Sequence, residues 1–252
     1  MKLIMNGDDF GITRGVNAAM IDCFSKGYLS STSMMVNMPA AKEASELMKA
    51  YPKLSVGIHL NLTVGKPLTD CPSLVKADGT FNKNMLKDSS MVDVKEMECE
   101  LRAQMERFIA LTGQKPTHIN SHHGIEQIRG AEAIVCQLSR EYDLPVRRFF
   151  TLPSGNHPDV DYVIPEAKLF FDFNSFATPE KVMELFSKED LESDRIYEYA
   201  CHPGYVDYEI LQISSLTTGR VYDAHVFMSE KIGQWIQDHQ IELVGYEALT
   251  KK

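Results

Sequence analysis

The sequence contains no long apolar run, no closely spaced cysteine pair and no excess of basic residues. No stretch approaches the roughly 18 apolar residues of a membrane-spanning helix. The first five residues give way to Asn6-Gly7-Asp8-Asp9 too soon for a signal peptide. Lys and Arg number 26 against 35 Asp and Glu, which argues against nucleic acid or an anionic membrane as the main partner. We therefore expect a cytoplasmic protein that binds neither.

The cysteines are few and scattered. There are five of them, none at CxxC spacing, and an odd, dispersed set indicates reduced thiols, not a disulfide framework or a zinc knuckle. The composition is otherwise that of an ordinary globular protein, with 44% apolar and 24% charged residues. A chain of 252 residues is long enough to bury a sizeable core. We expect one domain over residues 1–252.

Apolar, β-branched runs alternate with amphipathic helical stretches along the whole chain, a pattern typical of a parallel sheet with crossover helices. The predicted strands are Lys2–Asn6, Thr32–Asn37, Leu54–Leu62, Thr117–Ser121, Pro145–Phe150, Leu169–Phe173, Ile196–Ala200 and Glu242–Tyr246. Helices are predicted after Thr13, over Lys42–Tyr51, around Met97–Ile109, over Ala131–Tyr142, from Thr178-Pro179 and over Ser229–His239. About seven or eight β/α units favour a barrel over an open sheet.

Three segments lack this regular alternation. Residues 63–93, 151–165 and 210–220 are predicted to be irregular because they show no sustained periodicity. Long irregular segments in compact domains are usually functional. We expect the first two to form the rim of a binding site, with contacts between copies of the chain as the alternative.

Acidic and histidine residues fall repeatedly at or just past the ends of predicted strands. They are Asp8-Asp9, His59, His122-His123 and His202. In a parallel barrel these strand ends meet at one face, where active sites are built. A carboxylate and two imidazoles make a metal site that leaves positions open for water and substrate. Taken singly, Asp8-Asp9 is also typical of a solvated turn and His59 of a hydrogen-bonded core histidine. His118 and Asn120 alternate with His122 and are either partners that orient a ligand or structural residues.

Four motifs stand in order along almost the whole chain: Asn6-Gly7-Asp8-Asp9-Phe10-Gly11, Gly57-x-His59-Leu60-x-Leu62-Thr63, His118-x-Asn120-Ser121-His122 and Cys201-His202-Pro203-Gly204-x-x-Asp207. Together they resemble the YdjC-like carbohydrate deacetylases, which include chitooligosaccharide deacetylases. The resemblance implies a distorted TIM-like (β/α) barrel of the glycoside hydrolase/deacetylase type. It also implies removal of an N-acetyl group from an amino sugar or short chitooligosaccharide during oligosaccharide degradation.

The same resemblance assigns roles to individual residues. Asp9, His59 and His122 would hold one divalent metal ion, Asp8 would be the catalytic base, and His202 would be the acid or a substrate contact. Further candidates for contacting the sugar are His123, Asp207 and Arg220. The family is generally described with magnesium, whereas nitrogen-rich ligation suits zinc, cobalt or nickel. The substrate would be a short acetylated oligosaccharide, with or without a phosphate, and relatives suggest a homodimer.

The chain departs from the family's pattern at two places. Asn120-Ser121-His122-His123-Gly124 stands where the family usually has Asp-Ser-His-x-His, and Arg220-Val221-Tyr222-Asp223 stands where it has Arg-x-x-Glu. Two other functions stay open, namely a sugar-binding or regulatory pseudoenzyme and a metal-dependent hydrolase of another bond in a sugar or phosphoester. Arg147-Arg148 would contact a substrate phosphate or, as we prefer, form surface ion pairs.

Overall fold

The computed structural model describes residues 1–149, 157–163, 166–169, 176–187 and 195–252. Within these ranges the strands are β1 (Lys2–Phe10), β2 (Ser31–Met34), β3 (Ser55–Leu60), β4 (Ile119–Ser121), β5 (Glu166–Leu169), β6 (Ile196–Cys201) and β7 (Glu242–Leu243). The helices are α1 (Arg14–Ser25), α2 (Ala41–Ala50), α3 (Val94–Thr112), α4 (Ala131–Tyr142), α5 (Pro179–Ser187), α6 (Tyr208–Ile213), α7 (Thr218–Phe227) and α8 (Glu230–Asp238).

The strands form one parallel sheet in the order β4-β3-β2-β1-β6-β5. β1 is central: it pairs with β6 over residues 2–7, and also with β7 at residues 2–3 and with β2 from Asn6 onward. Within the described part of the chain, no pairing joins β4 to β5. The α/β prediction is confirmed, in a distorted (β/α) arrangement whose described strands do not close the sheet into a barrel.

Capping residues mark both ends of α3 and the start of α1. In α3 the Asp93 side chain accepts hydrogen bonds from the Lys95 and Glu96 amides, and Gly113 ends the helix in the left-handed conformation. Its inward face buries Met97, Leu101, Met105 and Phe108 against the sheet. Thr13 caps α1 as predicted, since its side chain accepts from the Val16 amide. None of the helices in these described ranges has the length and apolarity needed to cross a membrane.

The first strand is longer than predicted. β1 continues past Asn6 to Phe10 because Phe10 still pairs with Met34 on β2, with a shift in register after Gly7. Asp8 and Asp9 therefore lie within the last residues of the strand, not in a turn after it. Both carboxylates are buried in the sheet, so their surroundings are protein groups and not bulk water.

Two other predictions of secondary structure were wrong. Residues 145–149 form no strand; their pairing with β4 is limited to one bridge, between Val146 and Ile119. The segment 210–220 is mostly helical, in α6 and the start of α7. Arg220 lies on the buried face of α7. Because this residue is charged, the apolar periodicity that predicts a helix is interrupted there. Phe150, residues 170–173 of the predicted sixth strand and most of the predicted loop 151–165 lie outside the described residues.

Candidate metal centre and active site

Asp9, His59 and His122 converge at the C-terminal ends of neighbouring strands. Asp9 is the penultimate residue of β1, His59 that of β3, and His122 directly follows β4. The register places His59 beside Asn120, which brings the two histidine-bearing strand ends together. One ligand atom from each of the three side chains lies within 4.8 Å of the other two. The structure thus brings together the three residues that the resemblance assigned to the metal.

The arrangement of these atoms fits a cation. Oδ1 of Asp9 lies 3.0 Å from Nδ1 of His122 and 3.3 Å from Nε2 of His59. This oxygen is buried and has no hydrogen-bond partner among the described groups. A buried carboxylate oxygen without a hydrogen bond is costly. An ion coordinated by this oxygen and the two imidazoles would satisfy all three.

Asp9 is held in an uncommon backbone conformation. Its φ is 76°, in the left-handed region that residues with a side chain seldom adopt. Arg220 donates from Nη2 to Oδ2 of Asp9 over 2.7 Å, which leaves Oδ1 to face the histidines. Burial acts to raise the pKa of Asp9, but the charges of His122 and Arg220 outweigh it and lower the pKa well below its ordinary value. The carboxylate is therefore ionised, as a metal ligand must be.

Asp8 points into a different set of contacts. Arg147 binds both of its carboxylate oxygens, with Nη1 2.6 Å from Oδ2 and Nη2 2.9 Å from Oδ1. Oδ1 also accepts from Nδ2 of Asn6 and from the hydroxyl of Ser33. Burial acts to raise the pKa of Asp8, yet the Arg147 charge prevails and the pKa is lowered. Two adjacent aspartates thus occupy separate environments.

Arg147 is itself part of a buried chain of charged groups. Its Nε and Nη2 donate to Oε1 of Glu198, whose Oε2 accepts from the hydroxyl of Tyr246. The expected surface ion pair at Arg147 was wrong, because only 6% of this side chain is exposed. Sequence reasoning also missed Glu198. A single carboxylate in the middle of an apolar strand between Tyr197 and Tyr199 is the signal that could have found it.

His202 follows β6 on the same side of the sheet. Its backbone amide donates to Oδ2 of Asp223 over 2.9 Å. Asp223 stands where the family pattern has the longer glutamate, and it still contacts the residue after the strand. Burial raises the pKa of Asp223 to about 6. Burial also lowers the pKa of His202, which favours a neutral imidazole. His202 must therefore gain a proton before it can act as an acid.

The three residues expected to contact sugar occupy different surroundings. His123 sits beside the centre: its ring centroid lies 3.7 Å from that of His122, and its Nδ1 lies 2.9 Å from the Thr63 hydroxyl. Arg220 is 2% exposed and holds Asp9. The Asp207 carboxylate caps α6 through the Ile210 amide and also accepts from the Gly15 amide. Arg220 thus contacts a proposed metal ligand, and Asp207 contacts backbone amides.

The fold and the site together define an α/β protein with a candidate mononuclear metal centre at the carboxyl edge of its sheet. The family model described as YdjC-like protein matches residues 2–238, and the chain belongs to this family. A protein of Clostridium beijerinckii named carbohydrate deacetylase is 33% identical, over 98% of this chain and 99% of its own length. A protein of Halalkalibacterium halodurans with the same name is 37% identical, over 93% of this chain and 98% of its own length. A Yersinia enterocolitica protein named chitooligosaccharide deacetylase is 31% identical, over 97% of this chain and 95% of its own length.

Solved structures show the same architecture. The crystal structure of a proposed cellobiose-phosphate cleavage protein from Enterococcus faecalis matches with a TM-score of 0.84 and 28% identity, over 98% of each chain. A family 4 carbohydrate esterase from Streptomyces lividans, in complex with acetate, matches with a TM-score of 0.52 and 11% identity, over 96% of this chain and 91% of its own. At that identity the second likeness concerns the fold alone.

Proposed function

We propose that the protein is a metal-dependent hydrolase that removes N-acetyl groups from short acetylated amino sugars. The observation that carries this proposal is Oδ1 of Asp9, which faces His59 and His122 and has no hydrogen-bond partner among the described residues. A second carboxylate, Asp8, is held ionised next to it in the chain. The names of the relatives, carbohydrate deacetylase and chitooligosaccharide deacetylase, support the same reaction class.

Asp9, His59 and His122 would hold the ion through one oxygen and two nitrogens. A divalent ion bound there would polarise an acetamide carbonyl and lower the pKa of a water molecule from about 15.7 towards neutrality. We propose one such ion per chain. Two imidazoles favour zinc, cobalt or nickel, whereas magnesium prefers an all-oxygen set, so titration with each metal is needed to identify it.

Asp8 is the proposed base. Its Oδ1 already accepts from Arg147, Asn6 and Ser33, whereas Oδ2 has a single partner among the described residues, Nη1 of Arg147. Oδ2 therefore keeps a lone pair and is the atom that would accept the proton of the attacking water. Arg147 fixes the direction in which that lone pair points.

His202 is the proposed donor to the departing amine. Because burial favours its neutral form, His202 would need the proton that Asp8 takes from the attacking water, and would pass it to the amine nitrogen as the C–N bond breaks. Asp8 and His202 then both return to their starting forms. His123 and the segment 63–93, which meet at Thr63, would line the entrance for the sugar. We further propose that the protein is a homodimer, as the family resemblance suggests, and that it is cytoplasmic.

Acetate release from N,N′-diacetylchitobiose tests the proposal. The purified protein is assayed as isolated, after chelation, and after each metal is restored singly. We expect acetate only with metal. Metal binding without acetate from this or other acetylated sugars would favour a pseudoenzyme. Release of phosphate or of a free sugar in place of acetate would point to hydrolysis of another bond.

A further inference from the structure

A buried carboxylate on α3 holds the first part of the segment 63–93. Oε2 of Glu100 accepts hydrogen bonds from the backbone amides of Leu68 and Thr69, each over 2.9 Å, and from the Thr69 hydroxyl over 2.8 Å. Its Oε1 accepts from Nε2 of Gln104 over 2.8 Å. In the described part of the chain the four donors to this fully buried group are all neutral. The charge is therefore stabilised by hydrogen bonds and not by a cation.

Gln104 connects this carboxylate to the end of β3. Its Oε1 accepts from the backbone amide of Asn61 over 3.0 Å, and its Nε2 donates to the Asn61 carbonyl over 2.7 Å. β3 ends at Leu60, so the side-chain amide pairs with the next residue as a neighbouring strand would. The orientation of the amide is fixed, because a backbone N–H group can only donate and a carbonyl can only accept.

The side chain of Asn61 turns the chain just after β3. Its Oδ1 accepts from the backbone amides of Thr63 and Val64 over 2.9 and 3.1 Å, and its Nδ2 donates to the Val64 carbonyl over 2.7 Å. The Thr63 hydroxyl in turn lies 2.9 Å from Nδ1 of His123. A continuous hydrogen-bond chain thus runs from Glu100, inside the protein, to the imidazole beside the candidate metal centre.

His123 is the exposed end of this hydrogen-bond chain. Its φ of 60° lies in the left-handed region that residues with a side chain seldom adopt. Such a conformation persists only where the surrounding contacts fix it. The position of this ring therefore depends on its neighbours, which include the Thr63 hydroxyl and the ring of His122.

We propose that Glu100 is a positioning residue for the sugar. It fixes residues 61–69, and through them the ring of His123, in the arrangement that receives the substrate. The inference rests on the proposed function, in which His123 and the segment 63–93 line the entrance. Packing of α3 against the sheet requires only apolar side chains, and a buried charge without a cation is costly. We therefore attribute the carboxylate to the loop that it binds.

Glu100→Gln tests this role, because the new NH2 group would face a donor of either Thr69 or Gln104. We expect the KM for N,N′-diacetylchitobiose to rise about tenfold, less than the roughly 10²-fold cost of misplacing a reacting group by about 1 Å. The displaced groups contact sugar and not the reacting atoms, so kcat should stay within about twofold of the wild type. Zn²⁺ affinity should not change. The matched control, Glu106→Gln, removes the same charge at an exposed position of α3.

Two further variants show whether Glu100 acts through His123. His123→Ala removes the proposed sugar contact, and effects of residues that act through one another are not additive. We therefore expect Glu100→Gln to raise KM no further in the His123→Ala background, and an equal rise in both backgrounds would contradict the inference. Thr63→Val breaks the hydrogen-bond chain at its other end and should also raise KM, so the test does not depend on the folding of Glu100→Gln.

Two other results would overturn the inference alone. The first is a KM in Glu100→Gln or Thr63→Val no higher than in Glu106→Gln. The second is a fall in kcat or Zn²⁺ affinity together with the rise in KM, which would indicate a general loss of structure. Calorimetric titration of the chelated proteins with the same sugar gives Kd without turnover, and Kd should follow KM. Failure of the folded wild type to bind the sugar, with or without metal, would instead overturn the proposed function and this inference with it.

Discussion

Arg147 and Asp8 form a buried two-pronged ion pair at the centre of the sheet, with 2.6 Å between Nη1 and Oδ2 and 2.9 Å between Nη2 and Oδ1. Arg147 comes from the segment after α4 and Asp8 from β1, 139 positions apart in the chain. Glu198 on the neighbouring β6 shares the same guanidinium. One guanidinium therefore pairs with two buried carboxylates, and the fold and the proposed base depend on the same side chain.

Removal of the Arg147 guanidinium should destabilise the protein strongly. Arg147→Met leaves Asp8 and Glu198 buried without their partner, and loss of one member of a buried pair typically costs about 3–5 kcal/mol. We expect a fall of that size in the free energy of unfolding, measured by urea denaturation. Arg14→Met is the control, because Arg14 pairs with Glu43 at the surface and is 84% exposed. A fall in Arg147→Met no larger than in the control would contradict the prediction.

Asp8→Asn should separate proton transfer from metal binding. The amide keeps the size of the carboxylate but cannot accept the proton of water, so turnover should fall by about 10²–10⁴. Metal affinity should stay near that of the wild type, because Oδ1 of Asp9 and the two imidazoles are unchanged. Acetate release and calorimetric metal titration are measured on the same preparation. Full turnover in Asp8→Asn would remove Asp8 as the base.

His59→Ala should lose the metal. One of three ligands disappears, and with it the stabilisation that a bound ion gives, about 2.7 kcal/mol at a metal concentration of 100 times Kd. We expect the wild type to melt at a higher temperature with metal than after chelation, and His59→Ala to show no such difference. His239→Ala, at an exposed position after α8, is the control and should respond to metal like the wild type. An unchanged metal response in His59→Ala would exclude His59 as a ligand.

The periodic parts of the molecule could be predicted from the sequence, and so could the convergence of three candidate ligands. Strand ends carrying Asp9, His59 and His122 are visible as acidic or histidine residues after apolar runs, and parallel topology gathers them. The Arg147–Glu198 pairing could not be found in this way, because the two residues are 51 positions apart in the chain and meet only through the tertiary fold. α7 was missed because Arg220 lies on its buried face. There it donates to Asp9, a tertiary contact that no local pattern contains.

The stability of the protein should depend on pH through Asp223. Burial raises the pKa of this carboxyl to about 6 in the folded state, against 3.8 for an exposed aspartate. Between these values the folded state binds a proton that the unfolded state has lost, so stability falls as pH rises from about 4 to about 6. The fall is at most about 3 kcal/mol, at 1.36 kcal/mol per pKa unit.

Asp223→Asn isolates this effect. The asparagine oxygen can still accept from the His202 amide, but the side chain has no proton to lose. We therefore expect the variant to gain stability relative to the wild type as pH rises through this window, and the difference to level off above about pH 6. Urea denaturation of both proteins at half-unit steps from pH 4 to pH 7 gives the difference directly, and contributions from other carboxyls largely cancel in it. A difference that does not change with pH would mean that Asp223 is already ionised throughout, with the His202 amide and Arg220 outweighing its burial.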